Sequence, residues 1–179
     1  MYSFLKALIH NPREMGAIFP SSSFLAKEMA AHVVKNREGV VVELGAGTGV
    51  ITKELLRSGV QPSNIIVVES SAGLVKKLRR RFPAIKIIEG NAAELVALLA
   101  FEKREVHTII SSLPLRSLHK PMAESILQQI NLRLSDEGRY IQYTYSFNED
   151  PFFSLANYQR IISKRIWMNL PPARVEVWV

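Results

Sequence analysis

The sequence has no cysteine. That single absence excludes disulfides, thiolate metal sites and cysteine nucleophiles, and it fits a reducing compartment. No apolar run approaches the roughly 20 residues that a membrane-spanning helix needs. A cleaved secretory leader is not expected: the apolar stretch from Met1 to Ile9 is short, carries Lys6 and has no small-residue cleavage site after it. No spacing of His, Asp and Glu suits a metal ion, and no hydrolase triad signature is present. His107 falls too early in an apolar run to reach a site, and His119 reads as a solvated helix start. Internal repeats and Gly/Ser/Pro linkers are lacking as well. The 179 residues are therefore expected to form one domain, with residues 1–35 as a helical N-terminal segment and 36–179 as the core.

What is abundant is positive charge. Lys and Arg number 23 against 16 Asp and Glu, a net charge of +7, so the partner is expected to be anionic. The densest run, Lys76-Lys77-Leu78-Arg79-Arg80-Arg81, sits near the end of an expected helix. There the helix dipole favours cations, and a solvated face accounts for the run better than a dedicated patch.

From Gly39 onward, short β-branched runs alternate with helical patterns. Strands are expected over Gly39 to Leu44, Asn64 to Glu69, Ala84 to Glu89, Val106 to Ser111 and Tyr140 to Tyr145. Helices are expected over Val50 to Ser58, Ala72 to Arg81, Ala92 to Phe101 and His119 to Arg133. Such alternation means βαβ units and a parallel sheet. The end differs. Arg160 to Met168 and Arg174 to Val179 have only Asn169 to Ala173 between them, too short for a crossover helix, so they form an antiparallel hairpin. Ser21 to Ser23 cap a helix running to about Val34. Before it, Met1, Phe4, Leu5, Leu8 and Ile9 share one helical face, which Pro12 ends. That face suits the core or a membrane interface equally.

The strongest local signal is Glu43-Leu-Gly45-Ala46-Gly47-Thr48-Gly49, directly after an apolar strand and before a helix. Glycines let the backbone turn tightly and approach a ligand, and the amides of the helix start face that ligand. The spacing is G-x-G-x-G with an acid in front, not the G-x-G-x-x-G that seats a pyrophosphate. No Walker-type lysine follows. The pattern resembles motif I of class I S-adenosylmethionine (SAM)-dependent methyltransferases, whose sheet is mostly parallel and ends in an antiparallel hairpin. The expected fold is thus α/β and Rossmann-like, a seven-stranded sheet preceded by N-terminal helices. Glu43 suits the amino group of a methionine moiety. Glu69, at the end of the second strand and followed by Ser70, can accept from ribose hydroxyls. Gly90-Asn91-Ala92 follows the third strand; methyltransferases usually hold an Asp here against the adenine amino group, and the Asn91 oxygen can accept the same bond. Ser111 closes the fourth strand and is placed beside the cofactor.

After Ser111 come Ser112-Leu113-Pro114-Leu115. Methyltransferases of planar base amines often carry Asn-Pro-Pro-Tyr here; this block has no amide, acid or aromatic, which counts against a flipped base as acceptor. Over much of its length the sequence resembles bacterial phosphatidylethanolamine N-methyltransferases, relatives of the rRNA adenine dimethyltransferases. The resemblance is carried by Asn11-Pro12-Arg13, Gly16-Ala-Ile18-Phe-Pro20-Ser-Ser22, the glycine turn, Ser112-Leu113-Pro114, Gln142-Tyr-Thr-Tyr145 and Asn169-Leu-Pro-Pro-Ala173. It implies SAM as donor, the head-group amine of a phospholipid as acceptor and phosphatidylcholine as the end product. It implies that residues 16–22, Ile18 among them, line the cofactor entrance, although an ordered cap on the next helix fits them as well. Tyr145 is assigned to orienting the amine, with Tyr143 as rival, and Ser112 to the same catalytic site. A half-buried strand aromatic is the plainer alternative for either tyrosine. The resemblance also favours the first helix as an anionic-membrane contact, a monomer, and a cytoplasmic enzyme held at the inner face of the cell membrane. An rRNA adenine N6-dimethyltransferase is the rival reading.

Overall fold

The fold grows outward from Val40–Leu44 (β1), a run of five buried residues that only the centre of a two-faced sheet can accommodate. The computed structural model describes residues 21–34, 37–145, 158–169 and 172–179. The expected helix over residues 1–10, and Ile18, lie outside them.

β1 is flanked by two parallel neighbours, Ile65–Glu69 (β2) and Val106–Ser111 (β4). Lys86–Glu89 (β3) adds to β2, and Arg139–Thr144 (β5) adds to β4, both parallel. Ala173–Trp178 (β7) then pairs antiparallel with β5, and Arg160–Ile166 (β6) pairs antiparallel with β7. The seven strands run in the order β3-β2-β1-β4-β5-β7-β6. This is the expected mostly parallel sheet with its terminal hairpin.

Helices cover both faces. Ser21–Ala31 (α1), Val50–Arg57 (α2) and Ala72–Arg81 (α3) contribute Met29, Leu55 and Leu78 to one core layer, with Val41, Val67, Ile110 and Val175 from the strands. Leu95–Leu98 (α4) and Lys120–Arg133 (α5) cover the other face, where Leu95, Ile126 and Ile130 meet Val42, Ile66 and Ile109. Alternate residues of one strand thus feed opposite layers, as the pleat requires.

Several boundaries differ from expectation, among them the first described helix, which ends at Ala31 and not near Val34. The helix after β3 opens as a 3₁₀ turn, Ala92–Glu94, because the Asn91 side chain accepts from the Ala93 amide at 3.0 Å and sets a tighter first turn. β3 begins at Lys86, two residues late, after a Phe82–Ile85 backbone bond turns the chain at Pro83. β6 stops at Ile166, so Trp167 and Met168 belong to the hairpin tip and are exposed.

The antiparallel end of the sheet carries a buried ion cluster. Arg174 donates to Glu176 at 2.8 Å and Arg160 donates to the same oxygen at 3.1 Å, with Arg174 and Glu176 both buried. Buried charge is tolerated only when paired. Glu176→Gln keeps the volume and removes the charge that both guanidiniums face; we expect it to cost about 3 kcal/mol of stability, read as a lower urea midpoint at unchanged slope.

Candidate cofactor and acceptor site

The carboxyl ends of β1, β2 and β4 converge at one edge, where open α/β sheets bind ligands. The glycine turn leaves β1 there. Gly45, Gly47 and Gly49 all have positive φ, at 70°, 57° and 80°. Their surroundings differ. A Cβ on Gly45 would meet Leu113 at 2.6 Å, and one on Gly49 would meet Phe82 at 2.5 Å and Leu78 at 2.8 Å. A Cβ on Gly47 would meet nothing within 4 Å. Gly45 and Gly49 therefore let the turn pack against the protein, whereas Gly47 faces open space at the ligand edge. Ala46 is buried in the core layer beneath, and Thr48 is exposed, its carbonyl accepting from Arg81 at 2.7 Å.

Glu43 lies fully buried under this turn. Its Oε2 accepts from the Thr52 hydroxyl at 2.6 Å. Its Oε1 has no hydrogen-bond partner among the described residues. Burial pushes the carboxyl up to about 7, against the Thr52 hydrogen bonds that favour the anion and with a smaller push from Glu69. A buried acceptor of this kind suits a cationic donor, and the α-ammonium of a methionine moiety is one. Glu69 ends β2 on the other side of the turn. Its two oxygens accept from the amides of Gly47 at 2.9 Å and Ser71 at 3.0 Å. Each oxygen keeps lone-pair capacity for a ribose hydroxyl. Ser70, beside it, is exposed.

Gly90 and Ala92 continue from β3 on the outer flank, and Gly90 bonds back to the Glu69 carbonyl at 3.1 Å. The Asn91 oxygen is engaged in its capping bond and retains one lone pair for an adenine amine. A shallow cavity of about 420 Å³ opens beside this flank, lined by Ala72, Val75, Lys76, Arg79, Arg80 and Glu89. The charged residues of the basic run are exposed, as expected of a solvated helix face, and two of its arginines also bond backbone carbonyls. Arg79 bonds the Ile87 carbonyl of the edge strand at 3.1 Å, and Arg81 ties α3 to the glycine turn.

On the acceptor side, Ser111 is buried and its hydroxyl accepts from the Leu113 amide at 3.2 Å. Ser112 extends the β1–β4 ladder, its amide donating to the Leu44 carbonyl at 2.9 Å. The ends of β1 and β4 are thereby held together, with Leu44 opposite Ser111 and Glu43 opposite Ile110. Gln142 on β5 fixes the next step: its amide donates to the Leu113 carbonyl at 3.1 Å, and the Tyr140 hydroxyl donates to its oxygen. Sequence reasoning missed this brace, whose only trace is a glutamine inside an otherwise apolar strand. Tyr145 follows β5 at the same edge. Its ring meets Tyr143 edge-on, with centroids 5.5 Å apart, and its hydroxyl is hydrogen-bonded to Asn169 and Tyr143. Burial raises the pKa of both tyrosines, so both stay neutral at physiological pH. His107 is buried in β4, bonded to Thr108, and His119 is exposed before α5.

Comparison with known proteins decides the family. Residues 41–138, more than half of the chain, match the methyltransferase domain family. The chain belongs to that family. It is a class I SAM-dependent methyltransferase, as the glycine turn and the sheet order require. A TehB-like SAM-dependent methyltransferase of Corynebacterium glutamicum has the same fold, with a TM-score of 0.70 at 14% identity over 99% of this chain and 98% of that one. An ornithine lipid N-methyltransferase of Singulisphaera acidiphila is 28% identical over 96% of this chain and 92% of its own length. A ribosomal RNA small subunit methyltransferase A of Thermotoga petrophila is 31% identical over 42% of this chain and only 29% of its own.

Two outcomes follow from the buried acid and the open glycine. The Glu43 carboxyl is raised above its unfolded value, so the folded state binds the extra proton between about pH 4.5 and 7. Its stability contribution is favourable in acid and is lost as pH rises through 7. Relative to Glu43→Gln, the wild type should lose up to about 3 kcal/mol between pH 5 and 8, measured by urea unfolding, and saturating S-adenosylhomocysteine should narrow the difference. Gly47→Ala should weaken S-adenosylhomocysteine binding about tenfold at a stability cost of about 1 kcal/mol. Gly49→Ala should instead lower stability by about 2–3 kcal/mol; calorimetry and denaturation separate the two.

Proposed function

We propose that this methyltransferase acts on a lipid amine, with phosphatidylethanolamine as acceptor and phosphatidylcholine as the end product of successive transfers. The observation that carries the reading is the end-to-end match to a lipid N-methyltransferase, taken together with an acceptor loop that has no base-binding side chain. Residues 111–115 carry no amide, acid or aromatic, so a flipped base would find neither its amine partner nor a stacking face. The likeness to the RNA enzyme spans less than a third of that protein, which leaves RNA the weaker reading.

The bound donor supplies an electrophilic methyl group on a sulfonium, and the chain's task is alignment and exclusion of water. Glu43 holds the methionine end of the donor and Glu69 its ribose, and Gly47 gives it room. The Ser112-Leu113 backbone, braced by Gln142, forms the wall on which the amine is placed. The Tyr145 oxygen accepts from Asn169 and Tyr143, which holds the ring in place, and in this reading its ring face meets the amine and stabilises the cation that grows there. The nucleophile must be the neutral amine, since an ammonium has no lone pair; its proton leaves to water or to a neighbouring base before the transfer. In this reading the enzyme is one domain working at the inner face of the cell membrane, with residues 1–10 as a membrane contact and Ile18 at the cofactor entrance.

The test is transfer of labelled methyl from SAM to vesicles of phosphatidylethanolamine, to vesicles of ornithine lipid and to unmodified ribosomal RNA. Phosphatidylethanolamine should be labelled, with Tyr145→Ala slowed about a hundredfold in kcat and Tyr145→Phe slowed less than tenfold. Labelling of ornithine lipid alone would move the acceptor within the lipid class, and labelling of RNA alone would overturn the reading.

A further inference from the structure

The tip of the β6–β7 hairpin carries two adjacent large apolar side chains in open solvent. Trp167 is 68% exposed and Met168 is 65% exposed. A turn of this kind is ordinarily filled with small polar residues, since burial cannot repay exposed apolar area there. Its position in the fold is equally specific. β7 runs antiparallel to β5 and starts opposite Thr144 and Tyr143, so the tip lies at the edge where β1, β4 and β5 end. Asn169, next after Met168, is the residue that hydrogen-bonds Tyr145. The exposed pair therefore stands on the lip of the acceptor site.

A third apolar side chain shares that lip. α1 points its C-terminal end away from the site edge, because Arg139 at the start of β5 donates to the His32 carbonyl at 3.1 Å. Lys164 of β6 bonds Glu28 of α1 at 2.8 Å. One helical turn from Glu28 towards the site is Phe24, 46% exposed; three residues from Lys164 in the same direction is Trp167. Charge agrees with this placement. Arg165 is exposed immediately below the tip, while Arg160 and Lys164 of the same strand face Glu176 and Glu28.

We propose that this lip, Trp167 and Met168 with Phe24 and the flanking Arg165, is the surface that seats the enzyme on an anionic phospholipid bilayer. Tryptophan, with an apolar body and one N–H, settles at the boundary between head groups and acyl chains, and nearby cations are attracted to the anionic leaflet. The geometry delivers the acceptor along a short route: a lipid amine at the head-group level meets Asn169 and Tyr145 directly behind the tip, with the acyl chains left in the bilayer. The inference rests on the lipid reading above and adds a contact surface separate from residues 1–10.

The protein has two tryptophans, so in a Trp178→Phe background the fluorescence comes from Trp167 alone. Vesicles of phosphatidylglycerol and phosphatidylcholine should shift that emission to the blue, and lipids brominated near the head group should quench it. The double variant Trp167→Ser, Met168→Ser should bind these vesicles at least about tenfold more weakly, with S-adenosylhomocysteine affinity and unfolding midpoint unchanged. Phe101→Ser, an exposed aromatic at the opposite edge of the sheet, should bind them as the wild type does. An unshifted Trp167, or equal vesicle binding by the double variant, overturns the surface. Transfer to lipid amines, scored in parallel, keeps the two ideas apart. Tip-dependent vesicle binding without methylation of any amine lipid defeats the proposed acceptor and supports the surface. Lipid methylation by a double variant of undiminished vesicle affinity defeats the surface and leaves the acceptor.

Discussion

A carboxyl group buried at the carboxyl end of the central strand is the constraint on which the rest of this structure turns. Glu43 occupies a position that β1 would otherwise fill with another valine, and it is tolerated because Thr52 of α2 supplies one hydrogen bond. The second oxygen has no partner among the described residues. A group in that state raises the free energy of the protein alone and lowers it again when a cation arrives. The glycine turn exists to let that happen. Two of its glycines lie against Leu113, Phe82 and Leu78, so the loop cannot swing outward or fill in; the third stands open at the place where the donor would lie.

The neighbouring loops are fixed to this turn by backbone bonds more than by side chains. Gly45 bonds the Val68 carbonyl, Ser112 bonds the Leu44 carbonyl, and Gly90 bonds the Glu69 carbonyl. The ladder thus runs one step beyond each strand before the chain turns away. Site precision then comes from the sheet, the most rigid part of the molecule, and the loops inherit it. Arg81 and Gln142 extend the same logic from outside. One anchors the turn to α3 and the other braces the acceptor loop from β5. A side chain that fixes a backbone carbonyl of a neighbouring loop acts on the chemistry only through position.

The sheet and the glycine turn were legible in the sequence because their signals are local. Val40-Val41-Val42 and Ile65-Ile66-Val67-Val68 are continuous apolar runs that only a two-faced strand can bury, and glycine is needed where φ is positive. The hairpin was legible from loop length alone. The placement of Asn91 was legible, but its capping bond was not, since it depends on which backbone amide comes within reach. The Gln142 brace and the Arg174–Glu176–Arg160 cluster were illegible for a different reason. Each joins residues on separate strands, and polar residues in a strand read as solvent-facing until a partner layer is known to cover them. Trp167 and Met168 misled in the opposite sense: they extend an apolar run and so read as strand, whereas the chain turns after Ile166 and leaves both outside. Arg79 and Arg81 lay in a run that charge density alone made look uniform.

The proposed acceptor sets its own requirement in physical chemistry. An amine that attacks a methyl group must keep its lone pair free, so a strong hydrogen-bond donor aimed at the nitrogen would slow the reaction. Enzymes acting on planar base amines use a carbonyl to accept from the amine and an aromatic ring to hold the base. Here the loop after β4 offers backbone and the Ser112 hydroxyl but no amide, acid or aromatic, and the aromatic comes instead from the end of β5. The Tyr145 oxygen accepts from Asn169 and Tyr143, which fixes the ring. An aliphatic amine presents no flat surface to stack on, but it becomes a quaternary or protonated cation as methyl groups arrive, and a ring face is the partner such a cation prefers. Under the proposed lipid-amine reading, a tyrosine fixed from the hairpin side in place of a base-holding loop suits a tetrahedral nitrogen better than a planar one. It also ties the chemistry to the hairpin: the strand turn that holds Asn169 against Tyr145 is the turn that projects Trp167 and Met168 into solvent.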